Sequence, residues 1–134
     1  MFKRFKLVVV TLLACVCLAP AGADEVEKVV FLVVEKGEVI ASNTKAGRFD
    51  RLELRAKERI SRYEVGNAVA VVVTNQRYAA YGVMSGWQTL RRQAKEDTES
   101  IEAVDYSATV VTSDRILNFY GRTGAWQETR RSID

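Results

Sequence analysis

Two tryptophans, two arginines and a scatter of carboxylates are the residues of this chain whose types and spacing could do chemistry. Trp87-Gln88-Thr89-Leu90-Arg91-Arg92 recurs as Trp126-Gln127-Glu128-Thr129-Arg130-Arg131, 39 positions later. An exposed indole is a platform for the apolar C–H face of a sugar ring, so Trp87 and Trp126 are candidate glycan-binding residues. Arg77 and Arg115 each follow a short polar turn, where a planar guanidinium can fork onto an anion. Both pairs also suit structural roles. Recurrence at matched positions is what packing produces, and a turn arginine can hold its own backbone or pair with Asp114 or Glu102. Packing is the expectation for the tryptophans and turn or surface pairing for the arginines, with ligand binding at Trp87, Trp126, Arg77 and Arg115 as the alternative.

Catalytic and metal-binding patterns are sparse. The chain has no histidine, which removes His-based triads, imidazole bases and His metal ligands. No Ser-x-x-Lys or Gly-x-Ser-x-Gly motif occurs, and nothing brings two acids together as a glycosidase requires. Lys95-Glu96-Asp97-Thr98-Glu99 lacks the spacing of a calcium loop and reads as a solvated loop. The Arg91-Arg92 and Arg130-Arg131 pairs read as solvated, because neighbours on a strand point to opposite faces. Tyr78, Tyr81 and Tyr120 read as amphipathic core residues. The expectation is a protein that is not an enzyme and carries no cofactor or metal.

The elements that must position these residues are repeated. Val72-Val73-Thr74-Asn75-Gln76-Arg77 returns as Val110-Val111-Thr112-Ser113-Asp114-Arg115, 38 positions on, in the same order relative to the Trp segments. A fainter copy begins at Val33-Val34-Glu35-Lys36-Gly37-Glu38, with Gly47-Arg48-Phe49 where Gly86-Trp87 falls later. Fixed-period self-similarity is the mark of a repeat architecture. Valine-rich runs at 29–34, 68–74 and 107–112 predict buried strands. Polar turns and second strands at 78–81 and 116–120 follow, then a glycine turn and the Trp-led strand. The stretches 51–64 and 90–104 admit either a helical face or a strand, turn and strand; the latter is the favoured reading.

Four short antiparallel strands in about forty residues, with an aromatic near the start of the last, resemble the blades of a β-propeller. The resemblance covers Val29 to Arg131 and implies an all-β fold of about three repeats of ~38 residues in antiparallel, propeller-blade-like sheets. Around Thr112-Ser113-Asp114-Arg115 the chain is also similar to bacterial pleckstrin-homology-like modules. Repetition favours the propeller reading, with units at about 29–66, 67–104 and 105–134. Closed propellers need about 4–8 blades. Three blades therefore imply either closure by self-association, a dimer giving about six, or a smaller barrel or sandwich.

The N-terminus points to export. Lys3, Arg4 and Lys6 precede an apolar run from Leu7 to Ala19, and Ala21 and Ala23 supply a small-x-small cleavage site before Asp24. These are the parts of a signal peptide at 1–23, too short to span a bilayer. Leu12-Leu13-Ala14-Cys15 also resembles the lipobox of bacterial lipoproteins, which would anchor the chain at the envelope through Cys15. Cleavage before Asp24 removes both cysteines and three of the 20 Lys and Arg, leaving 17 against 17 acidic residues. A single β-repeat domain at 24–134 with zero net charge has no electrostatic footprint for nucleic acid. The expectation is a periplasmic or secreted binding or assembly module that self-associates or meets a glycan or envelope protein. It touches membrane only if lipidated at Cys15. A lectin-like protein using Trp87 and Trp126 is the alternative.

Overall fold

The computed structural model describes residues 25–132, so the signal peptide, Cys15 and Cys17 lie outside the described residues. Eleven strands and no helix make up those residues: β1 (Val30–Glu35), β2 (Glu38–Asn43), β3 (Arg48–Glu53), β4 (Ile60–Val65), β5 (Val69–Thr74), β6 (Arg77–Gly82), β7 (Gly86–Arg91), β8 (Thr98–Val104), β9 (Ser107–Thr112), β10 (Arg115–Tyr120) and β11 (Ala125–Arg130). They form three antiparallel meanders in the orders β1-β2-β3, β4-β5-β6-β7 and β8-β9-β10-β11, here called sheets 1, 2 and 3. The fold is all-β and propeller-blade-like, and the three sheets do not close on themselves.

Segments 51–64 and 90–104 each make a strand, a turn and a strand, as favoured above. The sheets are phased one strand earlier than the sequence units. β4 leads into β5 within sheet 2, and β8 into β9 within sheet 3, so the breaks fall in the loops before residues 60 and 98 rather than at 66 and 104. Those loops turn through left-handed residues, Lys57 and Lys95, at φ of 63° and 62°. Sheet 1 has no counterpart of β4 or β8 among the described residues.

Sheets 2 and 3 approach most closely along β4 and β8. Each strand alternates its side chains between two faces. The back face of each sheet, looking toward the following sheet, is built from positions one, three and five of its valine strand. On sheet 2 these are Val69, Val71 and Val73, with Tyr78 and Ala80 from β6. They pack against Ala108, Val110, Leu117 and Phe119 on the front of sheet 3. On sheet 1, Val39 and Leu52 meet Val72 and Ala79 of sheet 2, while Val30 and Ala41 meet Ala70 and Tyr81. Every residue of β5 and β6 is buried because sheet 2 is covered on both faces.

The alternation explains one departure from expectation. Val73 and Val111 are repeat equivalents, yet Val73 is buried and Val111 half-buried. Val111 lies on the back of sheet 3, which no further sheet covers among the described residues. Tyr120 shares that face and is exposed rather than in the core, unlike Tyr78 and Tyr81.

Candidate functional site

Each sheet-to-sheet joint is built around a buried ion pair that repeats every 38 residues. Arg77, first residue of β6, donates from Nε to Glu58 Oε2 (2.8 Å) and from Nη2 to Glu58 Oε1 (3.1 Å). Thr74 Oγ1 also donates to Glu58 Oε2 at 2.7 Å, and the Arg55 N–H to Oε1 at 2.8 Å. The second joint copies this. Arg115 Nε and Nη2 donate to Glu96 at 2.7 and 3.1 Å, Thr112 Oγ1 at 2.7 Å and the Gln93 N–H at 3.0 Å. Both glutamate side chains are wholly buried.

The clamp ties neighbouring sheets together. Arg77 Nη2 also donates to the carbonyl of Glu53, last residue of β3, at 2.8 Å. Arg115 Nη2 donates to that of Arg91, last residue of β7, at 2.9 Å. One guanidinium thus ties the loop glutamate to the edge strand of the preceding sheet. Two-point fork geometry is the reason for arginine rather than lysine here. Burial alone would raise the carboxyl pKa of Glu96. The hydrogen bonds from Arg115, Thr112 and the Gln93 N–H outweigh it and bring it down to about 2. Glu58 is lowered in the same way: burial acts upward and is overcome by Arg77, the Arg55 N–H and Thr74. Glu96 in turn raises the Arg115 pKa.

These contacts revise several sequence expectations. Arg77 and Arg115 pair with buried Glu58 and Glu96, not with Asp114 or Glu102 at the surface. Nε and Nη2 of each are used inside the chain. Glu96 does not belong to a solvated loop; Glu99 and Asp97 beside it are exposed. Arg92 and Arg131 lie just beyond their strands and are half-buried. Arg92 Nη1 donates to the Thr74 carbonyl at 3.0 Å and Arg131 Nη1 to that of Thr112 at 2.8 Å. Arg91 and Arg130 are exposed, as expected. The missed glutamates did have a signal: Ala56-Lys57-Glu58 recurs unchanged as Ala94-Lys95-Glu96 at the 38-residue interval.

The tryptophans occupy equivalent places, second in β7 and second in β11, and each leans on the sheet before it. Trp87 meets Tyr81 edge-on at 5.3 Å and donates Nε1–H to the Asp50 carbonyl of β3 at 3.2 Å. Trp126 meets Phe119 at 5.2 Å and donates to the Gln88 carbonyl of β7 at 3.2 Å. Both indoles are half-buried joint residues with a satisfied polar tip. Phe49, second in β3, is their image in sheet 1. With no sheet packed before it among the described residues, Phe49 is 70% exposed.

The two outer faces of the stack are the remaining surfaces. The front of sheet 1 carries Phe31, Val33, Ile40 and Phe49, with Phe31 44% and Val33 48% exposed. The back of sheet 3 carries Ser107, Thr109, Val111, Ile116 and Asn118. Ser107, Thr109 and Asn118, with Tyr120, Ala125 and Gln127, line an open hollow of about 540 Å³. Among the described residues no group of three or more Cys, Asp or Glu side chains gathers to hold a metal ion.

Fold and joints together define a short stack of propeller-blade-like sheets. No family model matches the chain, and no curated protein matches it. Among solved structures it is similar to the N-terminal domain of Nup159, at 14% identity and a TM-score of 0.40. That alignment covers 78% of this chain and 31% of the other, so the chain spans about a third of the length of the structure it matches.

Proposed function

We propose that this chain is an exported, non-enzymatic binding or assembly module of the cell envelope, working through the outer faces of its sheet stack. The observation that carries the reading is the front of sheet 1. Phe31, Val33, Ile40 and Phe49 occupy the positions that Ala70, Val72, Ala79 and Trp87 use to bury sheet 2 against its neighbour. A contiguous apolar sheet face at the end of a repeat array is an interaction surface or an aggregation liability. Stable arrays place a polar outer face on their terminal repeats. On sheet 1 that face is mixed, the four apolar side chains standing beside Glu35, Ser42 and the Glu38–Arg51 pair. The carbohydrate alternative draws no support from Trp87 and Trp126, whose indoles serve the joints.

Export rests on the basic, apolar and small-residue segments of residues 1–23. Intact mass of the exported protein should correspond to a chain starting at Asp24; a lipid-modified start at Cys15 would instead place it at the envelope membrane.

Assembly is tested by native size in the envelope fraction of the exporting cell. The chain should run larger than one copy, and Phe31→Lys with Phe49→Glu should return it to single-chain size with an unchanged far-ultraviolet spectrum. Single-chain behaviour of the unaltered protein throughout that fraction would sink the assembly reading.

A further inference from the structure

Resting on the reading that the outer faces of the stack are its working surfaces, we infer that the open hollow on the back of sheet 3 binds a neutral oligosaccharide. Position by position, this face departs from the back of sheet 2. Where sheet 2 buries Val69, Val71 and Ala80 against its neighbour, sheet 3 carries Ser107, Thr109 and Asn118. Gln127 pairs across the strands with Asn118, and Ala125 with Tyr120, so these complete the same face. The hollow measures about 540 Å³, and every side chain in its wall is uncharged. That size is within the range of small-molecule sites.

A further sheet cannot seat here as sheet 3 seats on sheet 2. Sixth in β6 is Gly82, where even a Cβ would come within 2.3 Å of the Gly121 carbonyl oxygen, in the turn after β10. Sixth in β10 is Tyr120, which puts a whole phenol ring at the matching place. Tyr120 stands in the wall of the hollow and is 43% exposed. The ring that obstructs a sheet offers a flat surface to the apolar C–H side of a sugar.

The polar groups of the wall suit hydroxyls. Serine and threonine hydroxyls and asparagine and glutamine amides each offer both donor and acceptor, as a sugar hydroxyl does. Thr109 Oγ1 donates to Asn118 Oδ1 at 3.0 Å, which orients the amide and leaves its Nδ2–H groups to donate to a ligand. The site also continues along the sheet. Asn118 and Gln127 belong equally to a second hollow of about 160 Å³, lined further by Ile116, Glu128 and Thr129. From Tyr120 to Ile116 is about 13 Å of strand, longer than one sugar ring. Glu128 at the far end already pairs with Arg115 at 3.0 Å, so its charge is matched from within the chain. Arg122, in the adjoining turn, lies over the Tyr106 ring at 4.5 Å and is in neither wall. With no cation in either hollow, the face has nothing to hold a carboxylate, sulfate or phosphate on a ligand.

The test is titration of the purified protein, by calorimetry and NMR, with di- to tetrasaccharides of glucose, galactose, mannose and N-acetylglucosamine. Uronic-acid oligomers of the same lengths are titrated alongside. At least one neutral series should bind, longer oligomers more tightly than the disaccharide, and the uronic acids more weakly. Tyr120→Ala should weaken binding by about tenfold and Asn118→Ala by about threefold or more. Melting temperatures should not change, because both side chains are exposed. Tyr120→Phe keeps the ring and should keep most of the affinity. Binding that survives both alanine variants would put the sugar elsewhere and overturn the assignment, as would a preference for acidic oligomers. Failure of every series to bind would overturn it outright. A change of native size in Tyr120→Ala, without a change in sugar affinity, would mean that a protein occupies the face and would also defeat the inference. None of the sugar results bears on the front of sheet 1, whose reading stands or falls on native size in the envelope fraction.

Discussion

Trp87 and Trp126 each cover part of a joint and satisfy one indole N–H on a backbone carbonyl, so their replacement removes packing and strands an acceptor. Trp→Ala at either position should cost about 3 kcal/mol, the low end for a large aromatic because each indole is half-buried. Trp→Phe keeps the ring against Tyr81 or Phe119 and loses the hydrogen bond, for about 1 kcal/mol. Thermal melts decide this. Alanine variants with unchanged melting temperatures would show that the indoles do not hold the joints and would restore sugar stacking as their role. Glycine matters at one joint for a different reason. A Cβ on Gly82 would sit 2.3 Å from the Gly121 carbonyl oxygen and 2.6 Å from its Cα, where sheets 2 and 3 approach backbone to backbone. Neither backbone can swing aside as a side chain can. Gly82→Ala should therefore destabilise by about 1–3 kcal/mol in chemical denaturation, and a neutral result would mean that the joint is looser than the structure shows.

At the scale of the loop and its strands, the clamp makes the turn at 54–59 or 92–97 a structural element in its own right. Removing one partner leaves the other charge buried: Glu96→Gln or Arg115→Met should each cost about 3–5 kcal/mol. Their combination should cost clearly less than the sum, since the second change removes the stranded charge. Additive losses in denaturant titrations would mean that the two side chains act separately. The pH dependence follows from the sign of the shift. Glu96 is held below its ordinary value of 4.5, near 2, in the folded chain. The stability it contributes is complete above about pH 4.5 and is lost as pH falls toward 2, with Glu58 acting in the same direction. Glu96→Gln should flatten the fall in stability over that interval. An equally steep acid transition in the variant would place the responsible protons elsewhere.

At the scale of the whole molecule, the described residues place one fully enclosed sheet between two half-covered ones, and that arrangement sets which equivalent residues matter equally. Val73→Ala should cost about 2 kcal/mol, whereas Val111→Ala should cost under about 1 kcal/mol in dilute solution. If assembly covers the back of sheet 3, the cost at Val111 should rise with protein concentration, because association stabilises the folded chain by mass action. Equal costs for the two valines at every concentration would mean that the back of sheet 3 is buried within the single chain.

Much of this architecture was readable from local pattern. Valine runs separated by Asn-Gln or Ser-Asp, two Trp-Gln segments and their 38–39-residue interval were enough for repeated antiparallel strands. They also placed Phe49 at the Trp position, because strand register and turn chemistry act over a few neighbouring residues. Side-chain partnership is different. Glu96 looks like any residue of a charged loop until Arg115 and Thr112, 19 and 16 positions away, fold over it. Even the repeated Ala-Lys-Glu tripeptide does not say whether its glutamate faces water or an arginine. The phase of the sheets and the unequal burial of Val73 and Val111 likewise depend on which sheet lies on either side. Periodicity along a strand fixes which residues share a face; only the stacking of sheets decides which face is covered, because burial is a property of the neighbour and not of the residue.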